Sequence, residues 1–265
     1  MPVLITGADT GLGAGVVAQL RPTGGELRAY VDATTATEDD AARLRAAGCK
    51  VAVGELDDEA HLEAALEQVH TVAHCWTGPL HDPGAQVEAA ATLSSAALGA
   101  GVRRLIWVRE LARAPHNPYL AALSEIQELF DALPVEVVTL STGLRHGPGD
   151  AFTERLRRGW LCGSGVAAGA VHAPVAIGDV ARAVAAADRQ RGTRRELHVA
   201  LTVLGPHEHT LGETLARLGA PPLDAPPPPE LPPPADWVVD WLSRASGRQA
   251  LVAGATVAHG AAPVA

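Results

Sequence analysis

The sequence predicts an α/β protein, a doubly wound parallel sheet with a small C-terminal substrate-binding lobe. Three observations lead there. Short apolar runs alternate with helical patterns, the joints between them carry glycine, and the first run ends in a glycine-rich turn. Strands separated by helices pair in parallel through crossovers. Such a sheet takes its ligand beyond the carboxyl ends of its strands, where the strand order reverses.

Val3-Leu4-Ile5-Thr6 predicts the first strand, and an apolar helix over 14–20 follows the turn Gly7-Ala8-Asp9-Thr10-Gly11-Leu12-Gly13. A second strand spans 27–31 and is closed by Asp32; a helix over 41–47 and a strand over 50–54 come next. Residues 57–69 read as helix, 71–74 as strand and 85–101 as a long alanine-rich helix. Strand 105–108, helix 119–133 and strand 135–140 complete the regular alternation. After Gly149 the pattern weakens to a helix over 179–187, a strand over 196–201 and a helix over 211–218. This divides the chain into a core, 1–149, and a lobe, 150–265, with one strand and one helix expected to return to the core. Residues 221–234 are proline-rich, and proline's fixed φ predicts a semi-rigid extended connector. Trp237, Val238 and Trp241 share one side of the stretch 237–243, so 221–243 is a candidate lid.

Composition narrows the partners. The 265 residues are 47% hydrophobic, enough for a substantial core, and carry a formal charge of -9. A face that contacts phosphate backbones needs clustered Lys and Arg, so nucleic acid is excluded as a partner. The local clusters Arg155, Arg157, Arg158 and Arg191, Arg194, Arg195 read as solvated helix and loop ends. Three scattered cysteines suit neither a disulfide framework nor a zinc site and fit a reducing cytoplasm. No apolar run is long enough to span a bilayer. His207-Glu208-His209 lacks a third ligand at a zinc-site spacing and reads as a surface loop, so no metal is expected. A cytoplasmic monomer or homodimer is the expectation.

The glycine turn carries the first functional signal. Gly7 permits the tight turn out of the strand, Gly11 lets backbone approach a pyrophosphate, and Gly13 lets the helix pack on the sheet. The amides that open the helix, with Asp9, Thr10 and Leu12 around them, then face the anion. Asp32 stands where a carboxylate accepts hydrogen bonds from the adenosine 2′-hydroxyl, and its charge would repel a 2′-phosphate. No arginine follows within residues 33–40. NAD(H) is therefore favoured, with NADP(H) the other option; the alternative role for Asp32 is to cap a turn.

With these residues assembled, the chain resembles the short-chain dehydrogenase/reductase superfamily over most of its length, and within it the atypical, NmrA-like and extended branches. The glycine loop matches the short form's T-G-x3-G-x-G. Gly54-Glu55-Leu56-Asp57 resembles the segment that touches adenine, which implicates Glu55 and Leu56. Residues 100–108 resemble the approach to the catalytic serine strand. Ser141-Thr142-Gly143-Leu144 opens a stretch, 141–149, similar to the R-P-G-x-x-x-G-P-G that passes the nicotinamide. Asp179-Val180-Ala181 resembles the extended branch's D-V-A helix. The same strand-end logic adds Cys75, Trp76 and Val108 to the cofactor contacts.

The departures bear on chemistry. The family's serine falls at Arg109 or Glu110, neither a neutral hydroxyl. Its Y-x3-K falls on Tyr119-Leu120-Ala121-Ala122-Leu123, so the tyrosine is present and the lysine is leucine. Lys50 is the only lysine in the chain. The missing lysine would have held the ribose and lowered the tyrosine pKa from about 10. Tyr119 is then either a weak acid or an aromatic packing on the cofactor.

Three readings follow. The first is an NAD(P)H-dependent reductase of a ketone on a hydrophobic or aromatic small molecule, working without the triad. This resembles the ketoreductases that tailor aromatic polyketides in actinomycete antibiotic biosynthesis. Hydride transfer needs mainly near-attack geometry. Trp76, Trp160, Trp237 and Trp241 are candidates to line its pocket, and His81, His116 and His146 to supply a proton. The second is a non-catalytic redox sensor of the NmrA-like kind, which the missing serine and lysine equally predict. The third is a redox-neutral isomerase or cyclase on the same scaffold.

Overall fold

Seven strands, all parallel, form one sheet in a computed structural model that describes residues 1–78, 82–111, 116–190 and 197–244. The central elements alternate as the sequence predicts: β1 (Val3–Thr6), α1 (Gly11–Leu20), β2 (Leu27–Asp32), α2 (Glu38–Ala46), β3 (Lys50–Gly54), α3 (Glu59–Leu66), β4 (Thr71–His74), α4 (Pro83–Gly99), β5 (Arg104–Glu110), α5 (Pro118–Asp131) and β6 (Glu136–Thr142). The lobe contributes β7 (Arg145–His146), α6 (Ala151–Arg157), β8 (Val171–His172), β9 (Val175–Ala176), α7 (Ile177–Arg189), β10 (His198–Val203), β11 (His209–Thr210), α8 (Leu211–Leu218) and α9 (Asp236–Ser243). Sheet order is β10-β6-β5-β4-β1-β2-β3, so the order in which strands are added reverses between β1 and β4. That junction is the switch point at which open α/β sheets bind ligands.

Each face of the sheet is covered, as buried parallel strands require. On one face Val3, Ile5, Ala29, Ile106 and Val138 pack against Val16 and Val17 of α1 and Val180 and Val184 of α7. On the other, Leu4, Val72, Leu105 and Trp107 meet α3, α4 and α5. Trp160, Leu215, Val238 and Trp241 from the lobe belong to this second cluster, so the lobe extends the core instead of building its own. Two lobe elements also return to the sheet. β10 pairs with β6, and α7 packs on α1.

Several boundaries differ from expectation, each for a local reason. Helix α1 starts at Gly11 instead of 14, because Thr10 caps it by accepting from the Gly13 amide at 3.1 Å. β5 runs two residues past 108, so Val108 is a core residue and Glu110 ends the strand. The returning strand begins at His198, two residues later than its expected start. α6 was hidden in the arginine cluster; Asp150 caps it through the Thr153 amide at 2.7 Å.

Candidate active site

The crevice beyond the carboxyl ends of β1 and β4 is built first by the glycine loop. Gly7 has φ +63°, and a Cβ there would lie 2.8 Å from Trp76 Cα. A Cβ on Gly13 would lie 2.6 Å from Ala8 Cα, so only glycine lets α1 close on the loop. Of the three opening amides of α1, Gly11 donates to the Gly149 carbonyl at 3.0 Å and Gly13 to Thr10. Among the described residues the Leu12 amide has no protein acceptor, and it lies at the positive end of the helix dipole. Gly11 thus approaches the 148–150 backbone, which was not foreseen.

Carboxylates gather on the β2 side. Asp32 Oδ1 accepts from the Thr34 amide at 2.9 Å and its hydroxyl at 2.7 Å, and Oδ2 accepts from the Trp76 indole at 3.1 Å. The turn-capping alternative is therefore realised, and Trp76 is tied to the acid. Asp9 Oδ1 is buried without a partner. Burial, with Asp40 and Asp32 nearby, raises the Asp9 pKa. Glu55 is exposed and lends its carbonyl to the Tyr30 hydroxyl at 2.9 Å, while Leu56 is buried in the core. Cys75 is buried at the end of β4, and burial pushes its thiol up to about 12.

At the ends of β5 and β6 lies a polar cluster that sequence reasoning only half anticipated. Tyr119 donates its hydroxyl to Glu110, whose other oxygen is paired with Arg145. Arg145 was passed over because nothing local in 141–149 marks it; its partner lies 35 residues upstream. Burial, then the Glu110 charge, drives the Tyr119 phenol well above its ordinary value. Burial works against the Arg145 charge, but Glu110, Tyr119, Asp150 and Cys75 together outweigh it and hold the guanidinium above its ordinary pKa. Arg109 is turned away: it contacts the Leu123 carbonyl at 3.3 Å and Gln127 on α5, and its guanidinium lies 5.1 Å from the Trp107 ring centre. Neighbouring residues of a strand face opposite ways. Glu110 therefore enters the site and the expected role for Arg109 does not survive.

The tail of β6 is held rather than open. Ser141 lies within β6, flanked by β5 and β10. Thr142 donates to the Arg109 carbonyl at 3.1 Å, Gly143 is pressed by the Ala173 carbonyl, and Leu144 is buried. Over the cluster lies α9, where Trp237 stacks on Tyr119 with ring centres 4.6 Å apart. Asn117 holds α9 there through the Trp237 carbonyl at 2.9 Å while capping α5. Trp160 and Trp241 are core residues flanking Phe152, and the Trp160 indole donates to Pro232 of the connector at 2.9 Å. They do not line an open pocket as expected, because their faces are spent on one another's neighbours. His116 is exposed at the start of α5, His146 is half-buried near Asp150, and His81 lies outside the described residues.

The tyrosines give a direct check. Tyr30 and Tyr119 are the only two in the chain, and burial raises Tyr30 to about 12. Both folded values lie above the unfolded value near 10, so the stability they contribute is complete below pH 10 and lost as pH rises beyond it. In an alkaline titration, near-ultraviolet phenolate absorbance is expected to appear together with loss of circular dichroism, not before it. A phenolate that forms reversibly in folded protein near pH 10 contradicts the buried Tyr119–Glu110 pair.

Fold and crevice together define a Rossmann-type protein. The NmrA-like family model matches residues 2–145, more than half the chain, and the protein belongs to that family. Solved structures with the same fold include a Thermus thermophilus UDP-glucose 4-epimerase complexed with NAD, at 20% identity and TM-score 0.67, covering 86% of this chain and 88% of that one. A Streptomyces venezuelae dTDP-glucose 4,6-dehydratase, DesIV, with NAD and TYD bound, matches at 18% identity and TM-score 0.65 over 83% and 82%. Bordetella bronchiseptica WbmG, in complex with NAD and UDP, matches at 23% and 0.63 over 85% and 80%. No curated protein matches the sequence. Among the described residues no helix is long and apolar enough to cross a membrane.

Proposed function

We propose that the protein is an NAD(H)-dependent reductase that acts on a ketone of a hydrophobic or aromatic small molecule without the usual Ser-Tyr-Lys triad. One observation carries the reading. Among the described residues, three sealed side-chain atoms lack a hydrogen-bond partner, Asp9 Oδ1, Gln86 Nε2 and Arg145 Nη1. Asp9 and Gln86 belong to segments that follow β1 and β4, the strands that flank the switch point, and Arg145 to the segment after β6, two strands further along the sheet. A buried polar atom without a partner costs about 1–3 kcal/mol, so three such atoms in segments beyond the carboxyl ends of the strands support a ligand that supplies the complement.

The residues present fit the cofactor. The Leu12 amide offers a donor to a pyrophosphate, and Asp9 with Asp32 offers acceptors to the adenosine ribose. A 2′-phosphate would meet those two carboxylates with Asp40 behind them, which supports NAD(H) over NADP(H). When bound, the cofactor supplies hydride. The protein's part is orientation, exclusion of water and stabilisation of charge on the substrate oxygen. Ionisable groups buried where hydride would be delivered are a mark of chemistry in preference to sensing. The burial of Tyr119 under Trp237 favours the other reading, a sensor that binds NAD(H) without turnover.

Two measurements decide. Titration calorimetry with NAD⁺, NADH, NADP⁺ and NADPH is expected to show NAD(H) binding at least about 10-fold tighter, equivalent to roughly 1.4 kcal/mol. Incubation with NADH and polycyclic aromatic ketones is then expected to oxidise the cofactor. Tight NADH binding with no oxidation across the panel supports the sensor, and no heat with any nucleotide ends both readings.

A further inference from the structure

We propose that Arg145 is a catalytic residue: its Nη1–H holds the carbonyl oxygen of the ketone while hydride is delivered to the adjacent carbon. The proposal rests on the reductase reading above and names the group that replaces the missing hydroxyls.

In relatives of this superfamily the resemblance assigns a serine and a tyrosine hydroxyl to the substrate oxygen. Here Glu110 stands at the serine's place and accepts from both neighbours, so it donates nothing. The Tyr119 proton is directed at Glu110, and Trp237 covers the ring face. The Thr142 hydroxyl is spent on the Arg109 carbonyl, and Arg109 faces α5. Arg145 Nη2 is paired with Glu110, and among the described residues Arg145 Nη1 is a donor without a partner, sealed from solvent. Glu110 fixes the planar guanidinium, so the free N–H keeps one direction with little entropy left to lose. The guanidinium charge is felt by Cys75 at the end of β4.

The step balances simply. Hydride adds to the carbonyl carbon, the C=O π pair moves to oxygen, and the resulting alkoxide is hydrogen-bonded to Nη1–H. As the product leaves the site, the alkoxide takes a proton from solvent water, releasing hydroxide to the buffer. Arg145 keeps its protons throughout, in keeping with its raised pKa. A fixed donor of this kind acts on charge that develops only as the reaction proceeds, and loss of one such donor costs about 10²–10³ in rate.

The test needs no knowledge of the substrate. Sulfite adds through sulfur to C4 of the nicotinamide of NAD⁺, placing an anionic group beside the ring, and the adduct absorbs in the near ultraviolet. Wild-type protein with NAD⁺ is expected to bind sulfite more tightly than free NAD⁺ does, and Arg145→Gln to lose about 10²-fold of that affinity. Calorimetric affinity for NAD⁺ itself is expected to stay within about 3-fold, an effect below 1 kcal/mol. Arg145→Gln strands the buried Glu110 charge, so E110Q/R145Q, which removes both charges, is measured beside it with circular dichroism as the fold control. Glu110→Gln alone keeps the cation and is expected to bind sulfite at least as tightly as wild type. If NAD⁺ binds but sulfite affinity is equal in wild type and E110Q/R145Q, or no better than for free NAD⁺, the assignment of Arg145 is overturned. If NAD⁺ gives no heat, the cofactor reading fails instead.

Discussion

Gly13→Ala is expected to abolish measurable binding of NAD⁺ and NADH, a loss of at least about 100-fold, or roughly 2.7 kcal/mol. The cause is steric and local. An added Cβ would lie 2.6 Å from Ala8 Cα and 2.7 Å from the Gly7 carbonyl carbon, all backbone that no side-chain rotation can relieve. The helix start must move off the loop, and overpacking of this kind costs about 1–3 kcal/mol. The same movement breaks the Thr10 cap on the Gly13 amide and withdraws the unpaired Leu12 amide from the anion. Gly169→Ala is the control, since a Cβ there meets nothing within 4 Å. It should leave affinity and thermal midpoint unchanged. Calorimetry of both variants decides: an unaltered affinity in Gly13→Ala would mean that α1 does not present the pyrophosphate site.

What the sequence made legible follows from range. The alternation 3–140 could be read because apolar runs and glycine joints are local signals, and the sheet they imply is the one found. Asp32 was readable as the acid closing β2, and Gly7 and Gly13 as the turn, because each acts on its immediate neighbours. The cluster at the end of β5 was not, since Glu110 is paired with a residue 35 positions on and the pairing exists only once β5 and β6 lie side by side. Two charged residues, Arg109 and Glu110, also hid the last turn of β5, since charge at a strand end looks like a loop. The tryptophans were misjudged for a related reason. A sequence shows that Trp160 and Trp241 are large and apolar, but not that Phe152 and the 221–234 connector will cover them. Trp237 differs because it lies at the first turn of α9, where one face remains for Tyr119.

Arg104→Met is expected to destabilise the protein by about 3–5 kcal/mol, the range for removing one partner of a buried ion pair. Arg104 has no exposed surface and begins β5 directly opposite Glu136, which begins β6. Its Nε donates to Glu136 at 2.9 Å, its Nη1 to the Ala187 carbonyl at 2.8 Å and the Asp188 carbonyl at 3.2 Å, and its Nη2 to Gln190 at 3.3 Å. One side chain thus ties two strands to the carboxyl end of α7, where a cation also meets the negative end of the helix dipole. Methionine fills similar volume but leaves the carboxylate and three carbonyls without their donor. Glu136→Gln should cost less, because its side chain is 18% exposed and water can replace part of what is lost. All of this lies at the amino ends of the strands, opposite the crevice, so NAD(H) affinity of the folded variant should be unchanged. Urea denaturation followed by circular dichroism measures the effect. A shift below about 1 kcal/mol would place Arg104 among exposed pairs, which contribute little, and would deny it the role of holding α7 on the sheet. The separation matters for the site. If Arg104→Met lowers stability and spares binding while Gly13→Ala abolishes binding, then the two ends of one sheet divide the work, the amino end securing α7 and the carboxyl end presenting the ligand.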